Sequence, residues 1–120
     1  MPRILVPPIT RPLSLADYDT SLKFDDGRPA VVQVWVNPTR TWYAQRQEIG
    51  RQAREGADPE LVAGRLYALF AQLWSQGPDA WTADEVRAIA ELENAPGLLA
   101  WLIRRSDEIL AEFRDARLKA

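Results

Sequence analysis

The placement of proline constrains this chain more than any other feature of its sequence. The chain contains nine prolines, and four of them fall within the first twelve residues: Pro2, Pro7, Pro8 and Pro12. Each proline fixes its own φ and biases the preceding residue toward extended backbone, so this stretch does not form a helix. We therefore predict an extended proline-rich arm over residues 1–16 and a single globular domain over residues 17–117.

A period-2 pattern after the arm predicts a β-hairpin over residues 17–36. The residues that would share one face of its first strand are Tyr18, Thr20, Leu22 and Phe24. Asp26-Gly27 is a typical hairpin turn, because both residue types tolerate positive φ, and the β-rich run 30–36 follows it. Because a lone hairpin is only marginally stable, it has to pack on helices or pair with strands of another chain.

The rest of the chain carries helix start and stop signals. Asn37-Pro38 and Asp58-Pro59 each combine an N-cap residue with proline at the first helical position. Thr82 and Glu85 have the spacing of a capping box. The predicted helices cover about 38–55, 59–76, 83–93 and 98–117. The expected fold class is α+β, mainly α, with an extended N-terminal arm, one β-hairpin and about four helices packed as a small bundle.

The residue types that are missing exclude most catalytic chemistry. The chain contains no His and no Cys, so it has no His general base, no Ser-His or Cys-His pair, and no imidazole or thiolate metal ligand. It also has no glycine-rich phosphate loop, and its paired carboxylates lie on helical faces that we expect to be exposed. We therefore predict a protein that is not an enzyme, with no catalytic residue, no cofactor and no metal site.

The charge balance gives no reason to expect nucleic acid or a membrane as partner. The chain has 15 basic and 17 acidic residues, and neither half forms a basic block. Its apolar runs are far shorter than the roughly 18 residues that span a bilayer. The N-terminus lacks the apolar region of a secretion signal, and the absence of Cys is typical of a cytoplasmic protein. We expect a cytoplasmic protein whose partner is another protein.

Two groups of apolar side chains are candidates for binding that partner. The first group lies in the arm and consists of Ile4, Leu5, Val6 and Ile9. A disordered tail cannot bury such residues. They therefore either pack across the chain's own core or dock on another protein in extended form. The second group consists of Trp35, Trp42 and Tyr43, which are buried either by the core or by a partner. Three further tryptophans are expected in the core where helices meet: Trp74, Trp81 and Trp101.

The order of elements in the second half of the chain carries a resemblance to known proteins. A helix ends at Trp74, a Gly77-Pro78 link follows, and Trp81-Thr-Ala-Asp-Glu-Val86 then caps the next helix. The closing helix contains Trp101-Leu102 and basic residues. With the Asp25–Pro29 turn, this arrangement resembles small proteins encoded among the tail genes of bacteriophages and prophages, in particular the tail assembly chaperones of long-tailed phages. The resemblance covers residues 13–115.

The resemblance implies a non-enzymatic protein in the cytoplasm of a bacterial host. Such a chaperone binds the tape-measure protein and keeps it soluble while tail-tube subunits polymerise around it. The arm and the surface of Trp35, Trp42 and Tyr43 would then be the binding candidates. Two alternatives stay open. One is a structural virion subunit, such as a head–tail connector or tail-completion ring protein, that self-associates through its hairpin or arm. The other is a bacterial interaction adaptor unrelated to phage.

Overall fold

A computed structural model of the chain describes residues 4–119 and contains two strands and four helices. The strands are β1 (Thr10–Ser14) and β2 (Val31–Trp35), and a short 3-10 turn over Leu15–Asp17 follows β1. The helices are α1 (Arg40–Arg54), α2 (Pro59–Leu73), α3 (Ala83–Ala90) and α4 (Leu98–Lys119). The expected fold class, α+β and mainly α, is confirmed.

The strand that pairs with β2 is not the one that the alternation predicted. β1 and β2 are antiparallel, with Leu13 opposite Val32 and Arg11 opposite Val34. The prediction of a first strand over residues 17–25 is wrong, because these residues form turns and keep only an isolated bridge between Lys23 and Pro29. β1 instead lies within residues 1–16, the stretch that was predicted to be an extended arm because of its prolines.

Local hydrogen bonds explain why residues 17–25 do not extend into a strand. The Ser21 N–H and Ser21 hydroxyl both donate to Asp19 Oδ1, at 2.9 and 2.7 Å. The Arg28 N–H donates to Asp26 Oδ1 at 3.0 Å. Aspartate side chains that bond the backbone two residues ahead compete with a strand ladder and favour turns. The alternation of apolar residues was therefore outweighed by the aspartates placed between them.

Burial explains why β1 takes the place beside β2. Leu13 and Leu15 are only 2% and 6% exposed, so pairing at this register places two large aliphatic side chains in the core. The ladder also continues beyond β1, since the Leu15 N–H donates to the Ala30 carbonyl at 2.9 Å. Residues 10–16 therefore belong to the folded domain, and the predicted arm boundary at residue 16 lies too far along the chain. Residues 1–3 of that arm lie outside the described residues.

The four predicted helices are confirmed, and most of their end signals act as expected. Asp58 caps α2 by accepting a hydrogen bond from the Glu60 N–H, and Pro59 is the first helical residue. Thr82 and Glu85 make both bonds of the capping box at the start of α3. The prediction that Asn37 caps α1 is wrong, because Thr39 is the N-cap and its side chain accepts from the Trp42 N–H.

The core lies between the inner face of the sheet and the helices. Its most deeply buried large side chains are Val32, Val34, Trp42, Phe70, Leu73, Trp74, Val86, Leu98 and Leu102. Trp74 donates from its indole N–H to Ser106 Oγ at 3.0 Å, so both buried polar groups are satisfied. Trp81 and Trp101 are half-buried against the same core. No helix within residues 4–119 is long and apolar enough to span a bilayer.

Candidate protein-binding site

Residues 4–9, which we call the N-terminal segment, hold the most exposed apolar side chains near the start of the chain. Ile4 is 93% exposed, Leu5 is 89% exposed and Val6 is 67% exposed, while Ile9 is 44% exposed. A single exposed aliphatic residue needs no explanation, but three consecutive ones form an apolar surface of the kind that binds another protein. These side chains do not pack on the chain's own core.

The base of the N-terminal segment is tied to the end of β2 by one asparagine. The Ile9 N–H donates to Asn37 Oδ1 at 2.7 Å, and Asn37 Nδ2 donates to the Pro7 carbonyl at 3.2 Å. The Val36 N–H donates to the Ile9 carbonyl at 2.8 Å. The Asn37 side chain thus adds one more donor and acceptor to the ladder. Sequence reasoning missed this role, since Asn before Pro is also a typical helix cap.

Prolines determine what kind of contact the N-terminal segment can make. Pro7 and Pro8 hold the backbone extended and have no N–H to offer a neighbouring strand. In the antiparallel register, the backbone groups of Arg11 and Leu13 face β2, so those of Pro12 face the outer edge of β1. A proline at this edge interrupts the row of donors that another strand would need. The prolines at positions 7, 8 and 12 therefore disfavour the addition of a further strand along this edge.

Trp42 was a candidate for partner binding, and the structure places it in the core instead. Its side chain is only 1% exposed, and its indole N–H donates to the Leu69 carbonyl at 3.0 Å. The ring packs edge-on against Phe70 with ring centroids 5.7 Å apart. A partner has no access to this side chain, because α1 presents it to α2 rather than to solvent.

The other two aromatic candidates are half-buried and lie on different elements. Tyr43 on α1 carries the Arg114 guanidinium over its ring, 5.0 Å from the centroid. Trp35 lies on β2 opposite Thr10, near the base of the N-terminal segment, and its buried indole N–H has no acceptor among residues 4–119. The structure therefore brings Trp35 close to the segment but does not gather all seven predicted residues into one site.

A groove between α1 and α2 is a second feature that sequence reasoning did not select. It has a volume of about 500 Å³ and is lined by Gln45, Glu48, Ile49, Gln52, Arg65, Ala68, Leu69 and Gln72. Among its lining residues, Ile49 and Leu69 are buried, whereas Gln45 and Gln72 are exposed. The lining residues recur at intervals of three and four along each helix, and this spacing was the available signal. We call this feature the α1–α2 groove.

Several charged groups around the groove and on the neighbouring helices form pairs. Hydrogen bonds from Arg51 lower the pKa of Glu48 below its ordinary value. Arg46 on α1 donates to Asp107 on α4 at 3.1 Å, and partial burial nevertheless raises the pKa of Asp107. Within residues 4–119, no group of three or more carboxylates is placed to hold a metal ion. The Glu48–Arg51 pair lies within α1, whereas the Arg46–Asp107 pair connects α1 to α4.

Comparison of the chain with models of protein families, with curated proteins and with solved structures found no match. Functional inference therefore starts from the geometry of the N-terminal segment and the α1–α2 groove.

Proposed function

We propose that this chain is a non-enzymatic protein of phage tail morphogenesis, most directly a tail assembly chaperone that binds the tape-measure protein during tail-tube assembly. The resemblance of residues 69–90 and the closing helix supplies the phage context. The exposure of Ile4, Leu5 and Val6 is the observation that supports the binding role. In this proposal the protein acts in the cytoplasm of the bacterial host.

The chemistry of the N-terminal segment suits such a client. A protein that has to be kept soluble before assembly exposes apolar surface, and residues 4–9 offer apolar side chains without any charge. The bonds from Asn37 to Pro7 and Ile9 order the base of the segment before binding. Binding then costs less conformational entropy than it would for a free tail.

Co-expression with a phage tape-measure protein tests the proposal. We expect the wild-type chain to raise the soluble fraction of the tape-measure protein and to co-elute with it during gel filtration. Leu5→Asp places a charge in the contact and should abolish both effects, because burying an unpaired carboxylate is costly. Leu118→Asp is the matched control, since Leu118 is 81% exposed at the other end of the chain. A wild-type chain that leaves the tape-measure protein insoluble and unbound contradicts the proposal, as does an equal effect of the two substitutions.

The second candidate is a structural virion subunit, such as a head–tail connector or tail-completion ring protein. The anchoring of the N-terminal segment by Asn37 favours it, because a strap that lies over a neighbouring subunit needs a fixed base. Such a subunit is part of the virion and forms closed symmetric rings. Light scattering across a concentration series separates the candidates: a ring of defined stoichiometry supports the subunit, and a monomer or weak dimer supports the chaperone.

A further inference from the structure

Three arginine side chains lie around the last turns of α4, where this helix passes β1 and α1. We call them the arginine patch: Arg11, Arg114 and Arg117. All three are exposed. We propose that the arginine patch binds an acidic stretch of the protein whose apolar surface contacts the N-terminal segment. This inference rests on the binding role proposed above for the N-terminal segment, and it adds the chemistry that the partner presents beside that contact.

Aromatic rings hold the guanidinium groups of the arginine patch in place. Arg11 from β1 and Arg117 from α4 both lie over the ring of Phe113, with their guanidinium carbons 5.7 and 5.8 Å from its centroid. Arg114 lies over the ring of Tyr43 at 5.0 Å. A guanidinium stacked on a ring keeps its in-plane N–H groups free for an anion, and its fixed position reduces the entropy that binding costs. Each of these side chains is therefore already ordered for binding a carboxylate.

The arginine patch also differs from other arginines of the chain in its lack of acidic partners. Several arginines elsewhere form ion pairs with carboxylates, namely Arg28, Arg46, Arg51, Arg104 and Arg105. Within residues 4–119, no member of the arginine patch forms such a pair. Because hydrogen bonds between guanidinium and carboxylate groups are among the stronger ones in proteins, unpaired arginines are the members of this surface that an acidic partner can engage.

The carboxylates nearest in sequence leave the arginine patch with an excess of positive charge. Glu112 lines a small cavity together with Arg11 and Phe113, and it opposes one of the three positive charges. Asp115 is two positions from both Phe113 and Arg117, and side chains two residues apart do not face each other on a helix. An acidic stretch is therefore complementary in charge to this surface.

The arginine patch is continuous with the N-terminal segment. Side chains alternate between the two faces of a strand, so Ile9, Arg11 and Leu13 share the face that points to α4. Ile9 and Arg11 are therefore about 7 Å apart along the extended chain. A partner that crosses from the N-terminal segment to the arginine patch meets uncharged apolar side chains first and guanidinium groups next. Nucleic acid does not match this order, since it offers phosphates but no aliphatic surface.

NMR with an acidic peptide tests the inference without any tail protein. The probe is hexaglutamate, added to the full chain at low salt, and the signals followed are the Nε–H groups of the arginines. We expect those of Arg11, Arg114 and Arg117 to shift, and the shifts to fall as salt is added, because salt screens exposed charges. Arg117→Glu should weaken the binding of hexaglutamate by about fivefold, as for the loss of an exposed ion pair.

Arg54→Glu is the matched control. Arg54 is exposed and lies in the last turn of α1, so this substitution makes the same change in net charge and removes a cation from the same kind of helix end. We expect it to leave the affinity for hexaglutamate unchanged. An equal loss of affinity in the two variants would show a general charge effect and overturn the inference, as would hexaglutamate that shifts none of the three signals. Tighter binding of hexathymidylate at the same salt would also overturn it, in favour of nucleic acid.

These results are separable from the test of chaperone function. Binding of hexaglutamate by the arginine patch, together with a chain that leaves a tape-measure protein insoluble and unbound, would contradict the proposed function and keep the patch as a site for carboxylates. A tape-measure protein that binds, together with hexaglutamate that does not, would contradict only the inference drawn from the arginine patch.

Discussion

Residues 4–9 and residues 10–15 are neighbouring stretches whose leucines differ sharply in burial. Both stretches combine proline with aliphatic residues, yet Leu5 is 89% exposed whereas Leu13 is 2% exposed. The difference is the partner strand. β2 offers its ladder to residues 9–15, and Asn37 marks the point where the ladder ends. Hydrophobicity alone therefore does not decide burial in this protein, because an apolar residue also needs a surface to cover it.

We expect the largest effect on stability from Trp42, a predicted partner-binding residue that the structure places in the core. Trp42→Ala removes a buried ring together with its hydrogen bond to the Leu69 carbonyl, and we expect a loss of about 3–5 kcal/mol in the free energy of unfolding. Urea denaturation followed by circular dichroism measures it. A Trp42→Ala variant with unchanged stability and reduced partner binding would contradict the assignment of Trp42 to the core.

Leu5 in the N-terminal segment and Leu13 in β1 provide a matched test of the difference in burial. Leu13→Ala leaves a cavity opposite Val32, and we expect it to cost about 2–5 kcal/mol of stability. Leu5→Ala removes the same atoms from an exposed side chain, so its effect should stay within about 0.5 kcal/mol. Both values come from urea unfolding under identical conditions. Equal losses for the two variants would show that the segment is folded onto the domain.

Substitution of Asn37, which lies where the β1–β2 ladder ends, should have a smaller and more local effect on stability. Asn37→Ala removes the acceptor for the Ile9 N–H and the donor to the Pro7 carbonyl, and we expect it to cost about 1 kcal/mol. The exchange rate of the Ile9 amide, measured by NMR, should increase. Asn37→Asp keeps the acceptor for Ile9, so its Ile9 amide should stay protected. Unchanged exchange in Asn37→Ala would mean that the anchor does not order the segment.

The proline on the outer edge of β1 should affect association rather than stability. Pro12→Val adds an N–H at the centre of this edge, and we expect it to promote strand-to-strand association of copies. The change in unfolding free energy should be less than about 1 kcal/mol. Thr10→Val is the control, because it places the same valine side chain in β1 but adds no backbone N–H. Light scattering detects the difference, and equal masses for the two variants would argue against the role given to Pro12.

Much of the helical part could be predicted from the sequence because its signals are local. Asp58-Pro59 and the Thr82–Glu85 capping box act between residues that are close in the chain, and both occur as predicted. The second strand was also predicted, because β-branched residues dominate it. Its neighbour could not be identified in the same way, since strand pairing depends on contacts between distant residues. The alternation at residues 18–24 was an equally good local pattern. The turn-forming hydrogen bonds of Asp19 and Asp26, together with the burial of Leu13 and Leu15, distinguish the two.

The candidate site was predicted in part for the same reason. The apolar residues of the N-terminal segment stand out in a proline-rich stretch, and whether they are covered could not be known before the fold. Trp42 opens a polar helix, so the sequence left open whether the core or a partner buries it, and it packs against Phe70 from the next helix. The α1–α2 groove arises only when two helices pack side by side. Features created by packing carry little signal in either helix alone.

The central claim is that the N-terminal segment binds another protein while the rest of the chain folds without it. The most direct test compares the full chain with a variant that lacks residues 2–6, by measuring the dissociation constant for the tape-measure protein. We expect the same unfolding transition for both, and binding that is weaker by at least about 30-fold in the shortened variant, as for loss of an interface hot spot. Equal dissociation constants for the two proteins would contradict the account.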